Sequence, residues 1–114
     1  MTDHSDCVFC AIVAGTIPAT VIAQNDDILV IQDRAPKATI HYLILPKRHI
    51  KDVQSFGPRD CCIAGKMFKM AQQLSQDNPD AKEFRLLVNR GYAVGQRVFH
   101  LHTHFLAGAR LPEF

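Results

Sequence analysis

The sequence lacks three features that would assign the protein to a membrane, an export route or a strongly charged partner. No apolar run approaches the ~20 residues that a membrane helix needs. Residues 1–6 have neither the basic start nor the apolar core of a secretion signal. The formal net charge is +2, too small to argue for nucleic acid or an anionic membrane as a partner. These absences favour a cytoplasmic location.

The chain length predicts a single domain. Its 114 residues, divided in two, would leave each half too small for a good core. The composition, 47% hydrophobic and 21% charged, is typical of a globular protein that folds without disulfides. Four cysteines in a chain without an export signal are most simply thiols or metal ligands. We therefore expect one domain over residues 1–114.

The hydrophobic periodicity predicts an α+β domain built on an antiparallel sheet. A short helix, capped by Asp6 and ended by Gly15, should precede a hairpin and a central strand. A long amphipathic helix should begin near Pro58 and lead to two further strands. The predicted helices cover residues 7–14 and 58–76, and the predicted strands cover 21–24, 28–33, 40–45, 84–88 and 99–105.

The last predicted strand carries the most distinctive pattern, because histidine alternates there with mostly apolar residues. On a strand, His100, His102 and His104 point to one face at intervals of about 6.6–7 Å. A solvated histidine-rich face, a metal site and nucleophilic catalysis could each use this pattern. All three rings can hardly converge on one ion, since the outer pair starts about 13 Å apart on a straight strand. The spacing therefore favours catalysis.

A loop at residues 89–97 runs directly into the histidine strand and contains two glycines. Glycine lets backbone approach a ligand and can orient amide groups as an anion nest. Arg90 and Arg97 add positive charge. Such a loop can be an ordinary connection, but beside potential nucleophiles it predicts a phosphate site.

Cys7 and Cys10 have the two-residue gap that lets both sulfurs reach one zinc ion. The chain has no second such pair, so the remaining ligands would have to be histidines. A redox pair and two inert thiols are the alternatives. Cys61 and Cys62 fall on the predicted long helix, where we expect packing or surface positions.

The sequence HLHTHFL at residues 100–106 closely resembles the defining motif of the histidine triad family of nucleotide-binding enzymes. Further segments resemble its Hint-type branch, so the resemblance extends from about Cys7 to Arg110. These segments are 9–19, 28–33, 41–50, 89–91 and 95–96. The family fold implied is α+β, with an antiparallel sheet of about five strands in each subunit. Two subunits would form a homodimer in which the sheets join.

The resemblance also implies a reaction. The family attacks the α-phosphorus of a nucleotide and forms a nucleotidyl-histidine intermediate that water resolves. His102 would be the nucleophile, and His104 and His41 would lie around it to position phosphate and move protons. A neutral imidazole is needed, which an unperturbed pKa of ~6.5 allows at pH 7.

The nucleotide-binding residues follow from the same resemblance. Asp33 would hold the ribose hydroxyls, which suits a carboxylate acceptor. Phe9, Ile12 and Ile31 would form walls of the base pocket, although each could equally be ordinary core. The residues implied on the phosphate side are Asn89, Gly95, Gln96 and Arg97.

Bacterial relatives with the early cysteine pair often bind zinc through it, with further ligands that match His49 and His100. Cys7, Cys10 and these two histidines would then form a closed site. Such a metal would stabilise the fold rather than activate water. A mutation of Cys7 should accordingly cost stability more than it alters the chemistry at His102.

Two departures from the branch bear on the reaction. Position 97 is usually serine or threonine, whereas Arg97 can neutralise phosphate charge but cannot deliver a hydroxyl proton. The C-terminal tail, residues 107–114, is short and lacks the tryptophan-bearing ending of some relatives.

The sequence thus predicts a cytoplasmic, dimeric purine nucleotide phosphoramidase, with adenosine phosphoramidates as the favoured substrates. Two alternatives remain open. One is a protein that binds AMP-like nucleotides with negligible turnover, which Arg97 favours. The other is a dinucleoside polyphosphate hydrolase.

Overall fold

A computed structural model describes residues 6–113 of the chain. Residues 1–5, which include His4 and most of the stretch considered as a secretion signal, lie outside the described residues, as does Phe114. The elements in order are α1 (Val8–Ala14), β1 (Val21–Gln24), β2 (Ile28–Gln32), β3 (Ile40–Pro46), α2 (Cys61–Asp77), β4 (Phe84–Leu87) and β5 (Thr103–Ala107). Neither helix in this part of the chain is long and apolar enough to cross a membrane.

The five strands form one antiparallel sheet in the order β1-β2-β3-β5-β4. The predicted α+β class with one short and one long helix is confirmed. β3 lies in the middle of the sheet, as its apolar character on both faces predicts. Its neighbour β5 places His104 opposite Leu43, and Leu106 opposite His41.

The two faces of the sheet are covered by different helices. α2 packs Ile63, Met67 and Met70 against the face that carries Ile44 and Phe105. α1 covers the opposite face, where a smaller apolar cluster surrounds the buried ring of Phe9. That cluster contains Phe9, Leu29, Ile31, Leu43 and Leu45. Since Leu43 and His104 share this second face, α1 stands over the histidines.

Both helices begin later than the sequence predicts. Asp6 does not cap α1; the cap is Cys7, whose Sγ accepts a hydrogen bond from the Cys10 amide at 3.4 Å. α2 begins at Cys61 and not at Pro58, because the buried Asp60 accepts a hydrogen bond from the Gly57 amide at 2.6 Å and holds a turn there. Gly15 ends α1 with a φ of 82°, as predicted.

The histidine segment is a strand only in part, which corrects the predicted range 99–105. β5 begins at Thr103, and its first partner on β3 is Ile44. Before that point the chain leaves the sheet, since the Leu101 amide donates to the Ile50 carbonyl at 2.6 Å. His100 and His102 therefore precede the strand, and the three histidines of the motif do not lie in one straight row.

Candidate active site and metal centre

Three histidines, from β3, from β5 and from the residue just before β5, meet on the α1 side of the sheet. His41 and His104 occupy diagonal positions on β3 and β5, and their rings are joined by a 2.8 Å contact between Nε2 of His41 and Nδ1 of His104. The ring of His102 lies 5.1 Å from that of His104. Phe9 packs edge-on against His102 at 5.1 Å. The predicted grouping of His41, His102 and His104 is thus present in the structure.

Backbone groups fix the proton positions in this cluster. The Lys37 amide donates to Nδ1 of His41 at 3.0 Å, so His41 carries its proton on Nε2 and donates it to His104. Nδ1 of His102 lies 2.8 Å from the carbonyl oxygen of His100. A carbonyl only accepts, so Nδ1 of His102 is the donor. Nε2 of His102 is then left with a free lone pair, which is the form a nucleophile requires.

Burial disfavours the charged form of all three rings. Burial lowers the pKa of His102, although its hydrogen bond to His100 and the charge of Asp33 act in the opposite direction. Burial also lowers the pKa of His41. For His104, burial followed by the proximity of His102 and His41 lowers the pKa from 6.5 to about 4.

Asp33, His41 and His104 also bring three ligand-type atoms within 4.8 Å of one another, but their hydrogen bonds do not suit a metal. A metal on Nε2 of His41 would displace its proton to Nδ1. That nitrogen already faces the Lys37 amide proton at 3.0 Å, so two donors would then oppose each other. The cluster is better described as a hydrogen-bonded group, in which Nε2 of His41 faces His104 and, at 3.4 Å, the Asp33 carboxylate.

A cleft of about 760 Å³ lies between α1 and the end of β2. Four predicted nucleotide-binding residues line it, namely Phe9, Ile12, Ile31 and Asp33. Its apolar wall is completed by Leu43 and Val98, and Gln32 and Arg34 add polar groups. These four lining residues were not predicted from the sequence, because nothing in their local pattern distinguishes them from ordinary strand or loop positions.

The loop before the histidines is held in a fixed shape. Gly95 has a φ of +117°, and a Cβ there would lie 3.2 Å from the Asn89 side chain. Gln96 is 1% exposed; its Oε1 accepts from the Gly91 amide at 2.9 Å, and its Nε2 donates to the Lys51 carbonyl at 3.0 Å. The structure thus shows Gln96 supporting the loop, while its contact with phosphate stays a prediction.

Arg97 lies at the surface of this loop. Its guanidinium stands 4.0 Å over the ring of Tyr92 and donates to the Tyr92 carbonyl at 2.7 Å. Stacking and the hydrogen bond together restrict the side chain. Gly95 lies against the Asn89 side chain and Arg97 against Tyr92, and the contact of these residues with phosphate likewise stays a prediction.

A second cluster gathers Cys7, Cys10, His49 and His100, whose four ligand atoms lie within 4.8 Å of one another. Nδ1 of His100 is 3.4 Å from Sγ of Cys7 and 3.6 Å from Sγ of Cys10. Nδ1 of His49 is 3.3 Å from Sγ of Cys10. The Nε2 proton of His100 is donated to the Pro46 carbonyl at 2.7 Å.

This donor set suits zinc. Two sulfurs and two imidazole nitrogens make a tetrahedral site, and the bond to Pro46 leaves Nδ1 of His100 unprotonated and aimed at the sulfurs. Burial, followed by the hydrogen bond with Cys7, raises the pKa of the Cys10 thiol from 9.0 to about 11 in the metal-free chain. Cys61 and Cys62 are exposed on α2, far along the chain from this cluster.

Comparison with known proteins gives consistent similarities. The family profile described as "Scavenger mRNA decapping enzyme C-term binding" matches residues 6–112. An uncharacterized HIT-like protein of Synechocystis is 35% identical over 103 residues, which cover 90% of each chain.

Solved structures agree with this. A histidine triad protein from Clostridium difficile superposes with a TM-score of 0.93 at 32% identity, over 99% of both chains. A HIT family hydrolase from Clostridium thermocellum gives 0.92 at 35% identity, over 98% of both chains. A zinc-bound histidine triad family protein from Mycobacterium smegmatis gives 0.76 at 31% identity, over 89% of this chain and 73% of that one.

The lowered pKa of His104 predicts a loss of stability in mild acid. As the pH falls below ~6.5 the unfolded chain protonates this histidine, whereas the folded chain does so only near its pKa of about 4. The free energy of unfolding should therefore fall as the pH falls from ~6.5 towards 4. Urea denaturation between pH 7.5 and 4.5 measures this change.

The control is His104→Gln, which keeps a polar side chain without the titration. Its stability should depend less steeply on pH than that of the wild type between pH 6.5 and 5, where carboxylates contribute little. Equal slopes for the two proteins would contradict the prediction. So would an NMR titration in which the His104 ring protonates near pH 6.5.

Proposed function

Since the chain belongs to the histidine triad family, we propose that it is a nucleotide hydrolase, and specifically a purine nucleotide phosphoramidase that acts at the α-phosphorus. The observation that carries this proposal is the hydrogen bond from Nδ1 of His102 to the His100 carbonyl. It leaves a neutral imidazole with its Nε2 lone pair free, close to a cleft of nucleoside size.

The proposed reaction has two steps. Nε2 of His102 attacks the α-phosphorus, forming a P–N bond to the histidine while the bond to the leaving amine breaks. Water then breaks the P–N bond to His102 and releases the nucleoside monophosphate. The amine must gain a proton in the first step, which solvent would supply through the ring of His104, 5.1 Å from that of His102. The water of the second step returns one proton to solvent. General acid help of this kind is worth about 10²–10⁴-fold.

The cleft supports a purine nucleoside as the bound part. Phe9, Ile12 and Ile31 offer apolar surface for a base. Oδ1 of Asp33 accepts from the Ala35 amide at 2.7 Å, which holds the carboxylate at the end of β2 with lone pairs left for ribose hydroxyls. The glycine-containing loop and Arg97 would face the phosphate.

The alternative is a nucleotide-binding protein with negligible turnover. Arg97 favours it, because its stacked and hydrogen-bonded guanidinium neutralises phosphate charge without offering a hydroxyl proton. Dinucleoside polyphosphate hydrolysis would keep the nucleophile and change the leaving group.

Replacement of the nucleophile separates these functions. His102→Ala should lower turnover of an adenosine phosphoramidate by at least about 10³-fold, since the covalent intermediate can no longer form, while AMP affinity changes by less than about fivefold. Turnover is measured with the phosphoramidate and with a diadenosine polyphosphate, and AMP binding by calorimetry.

His4→Ala is the matched control, because this histidine has no predicted role. Preference of the wild type for the polyphosphate would instead support dinucleoside polyphosphate hydrolysis. AMP binding with no turnover of either substrate by the wild type would contradict the enzyme assignment and favour the binding protein, with Arg97 as the first residue to replace.

We also propose that Cys7, Cys10, His49 and His100 bind one structural zinc ion. The support is the paired donor set and the hydrogen bond that orients His100. The ion would connect the start of α1 to His49, which follows β3, and to His100, which precedes β5. Because binding to the folded state adds to stability, zinc at a thousand times its dissociation constant should contribute about 4 kcal/mol.

Zinc content provides the test. The zinc-loaded wild type should retain about one ion per chain after dialysis, and Cys10→Ser should retain close to none and melt at a lower temperature. Cys61→Ser removes an exposed thiol from α2 and should behave as the wild type. Equal zinc content in the two variants would contradict the site.

A homodimer is the remaining part of the proposal, with each chain forming a single domain over residues 1–114. β4 is an edge strand with unpaired backbone groups. Phe84 on this strand is 40% exposed, and the nearby apolar residues Val88 and Phe68 are 43% and 66% exposed. A groove of about 280 Å³ lies there, lined by residues that include Phe68 and Val88. A second copy could cover this surface and extend the sheet.

Phe68→Glu should shift the protein towards monomer, because the interface would then bury an unpaired charge. Sedimentation equilibrium measures the change. Val21→Glu, on the opposite edge strand where Val21 is 46% exposed, is the matched control and should leave the oligomeric state unchanged. A monomeric wild type at high micromolar concentration would contradict the dimer.

A further inference from the structure

The four-ligand cluster and the nucleophile are joined through His100. The ring of His100 lies in the cluster, with Nδ1 within 3.4 Å and 3.6 Å of the two sulfurs. Its backbone carbonyl accepts the Nδ1 proton of His102 at 2.8 Å. The residue that would hold the metal is therefore the residue that decides which nitrogen of His102 carries the proton.

Little freedom separates the two ends of this connection. His100 is fully buried, and its Nε2 is fixed to the Pro46 carbonyl at 2.7 Å. Phe9 packs edge-on against both His100, at 5.7 Å, and His102, at 5.1 Å. A shift of the His100 ring would therefore move the backbone and the aromatic wall on which His102 rests.

A second connection passes through His49. Its ring lies 3.3 Å from the Cys10 sulfur, and the residues that follow it hold the segment around the nucleophile. The Ile50 carbonyl accepts from the Leu101 amide at 2.6 Å. The Lys51 carbonyl accepts from the Gln96 side chain at 3.0 Å. His49 and His100 are thus each linked, directly or through neighbouring residues, to the backbone around His102.

The cluster is also open to exchange with solvent. Cys7 and His49 line a cavity of about 410 Å³, and both residues are only partly buried. A metal ion can therefore enter or leave without passing through the nucleoside cleft, whose lining includes none of the four ligands.

From these contacts we propose that occupancy of the Cys7–Cys10–His49–His100 centre controls the alignment and proton position of His102, so that zinc content sets the turnover of bound nucleotide. This inference rests on the proposed function and gives His100 the part of a positioning residue. The sequence predicts that the metal only stabilises the fold. The hydrogen bond from His102 to His100 adds a second role, which is to position His102.

The physical reason is the direction of the His102 proton. With the His100 carbonyl in place, the proton stays on Nδ1 and the lone pair on Nε2 is available. Release of His49 and His100 from the centre loosens the two links that hold this carbonyl, the His100 ring and the Leu101–Ile50 hydrogen bond. The carbonyl can then turn away, and an imidazole with its proton on Nε2 cannot attack. Loss of an outer contact of this kind typically costs about 10–100-fold in activity.

The test compares the wild-type protein freed of metal by a chelator with the same preparation reloaded with zinc, at a temperature where circular dichroism shows both folded. The metal-free protein should have a kcat lower by about 10–100-fold, and its affinity for AMP should change by less than about threefold. The ¹⁵N NMR signals of the His102 ring should move towards those of a mixture of the two tautomers. Addition of zinc should restore kcat, the affinity for AMP and the His102 ring signals to their original values.

His49→Gln gives a second measurement if the metal-free wild type does not stay folded. This variant removes one ligand and leaves the His100 backbone untouched, so its His102 signals should respond to zinc only at higher concentration. Cys61→Ser is the matched control, with unchanged signals and kcat.

The ring signals of His102 decide the inference independently of the reaction. Identical His102 signals with and without zinc would overturn it, and so would a folded metal-free protein with unchanged kcat. A joint loss of AMP affinity and turnover would also overturn it, because it would show a general structural role. If the zinc-loaded wild type turns over neither substrate, the proposed function fails, and the zinc-dependent His102 signals still test the connection.

Discussion

The antiparallel pairing of β3 with β5 is the constraint on which the rest of the structure depends. Its register places His41 diagonally across from His104, on the face opposite to α2. A slip of β5 by one residue against β3 would turn His104 to the α2 side and take Phe105 away from the apolar residues that pack there. The large apolar side chains Ile44 and Phe105 on that side hold the register, because both are fully buried.

Burial then sets the chemistry of the histidines. The imidazoles lie under α1 and next to Phe9, so that their charged forms lose hydration and their pKa values fall. A neutral His41 can donate a hydrogen bond to a neutral His104, whereas charged rings would repel one another. The carboxylate of Asp33 is close enough to orient His41 at 3.4 Å and does not reverse the lowering of the His41 pKa.

One periodic motif supplies two different centres because the chain bends between them. His104 is on β5, His102 precedes the strand, and His100 turns its ring towards the early cysteine pair. The Leu101 amide makes this possible by pairing with Ile50 instead of with the sheet. A strand that began at Phe99 would have kept the rings on one face and left the sulfurs of Cys7 and Cys10 without His100.

The sequence by itself determined the number and kind of elements, because hydrophobic periodicity and turn residues are local properties. With the resemblance to the histidine triad family, it also singled out the side chains that the structure groups. These are His41, His102 and His104 in one cluster, and Cys7, Cys10, His49 and His100 in the other. The end of α1 at Gly15 and the central place of β3 followed from local pattern as well.

Only the tertiary structure decided how these residues act on one another. The Lys37 amide and the Pro46 and His100 carbonyls assign the proton positions, yet every residue except proline has an amide and every residue has a carbonyl, so no sequence signal distinguishes them. The turn that Asp60 holds before α2 and the cap that Cys7 supplies to α1 arise in the same way. Only the contact of His100 with Pro46 joins residues distant along the chain. The others are short in sequence, but they form only in the backbone conformation that the packed chain adopts, and a pattern of residue types does not record that conformation.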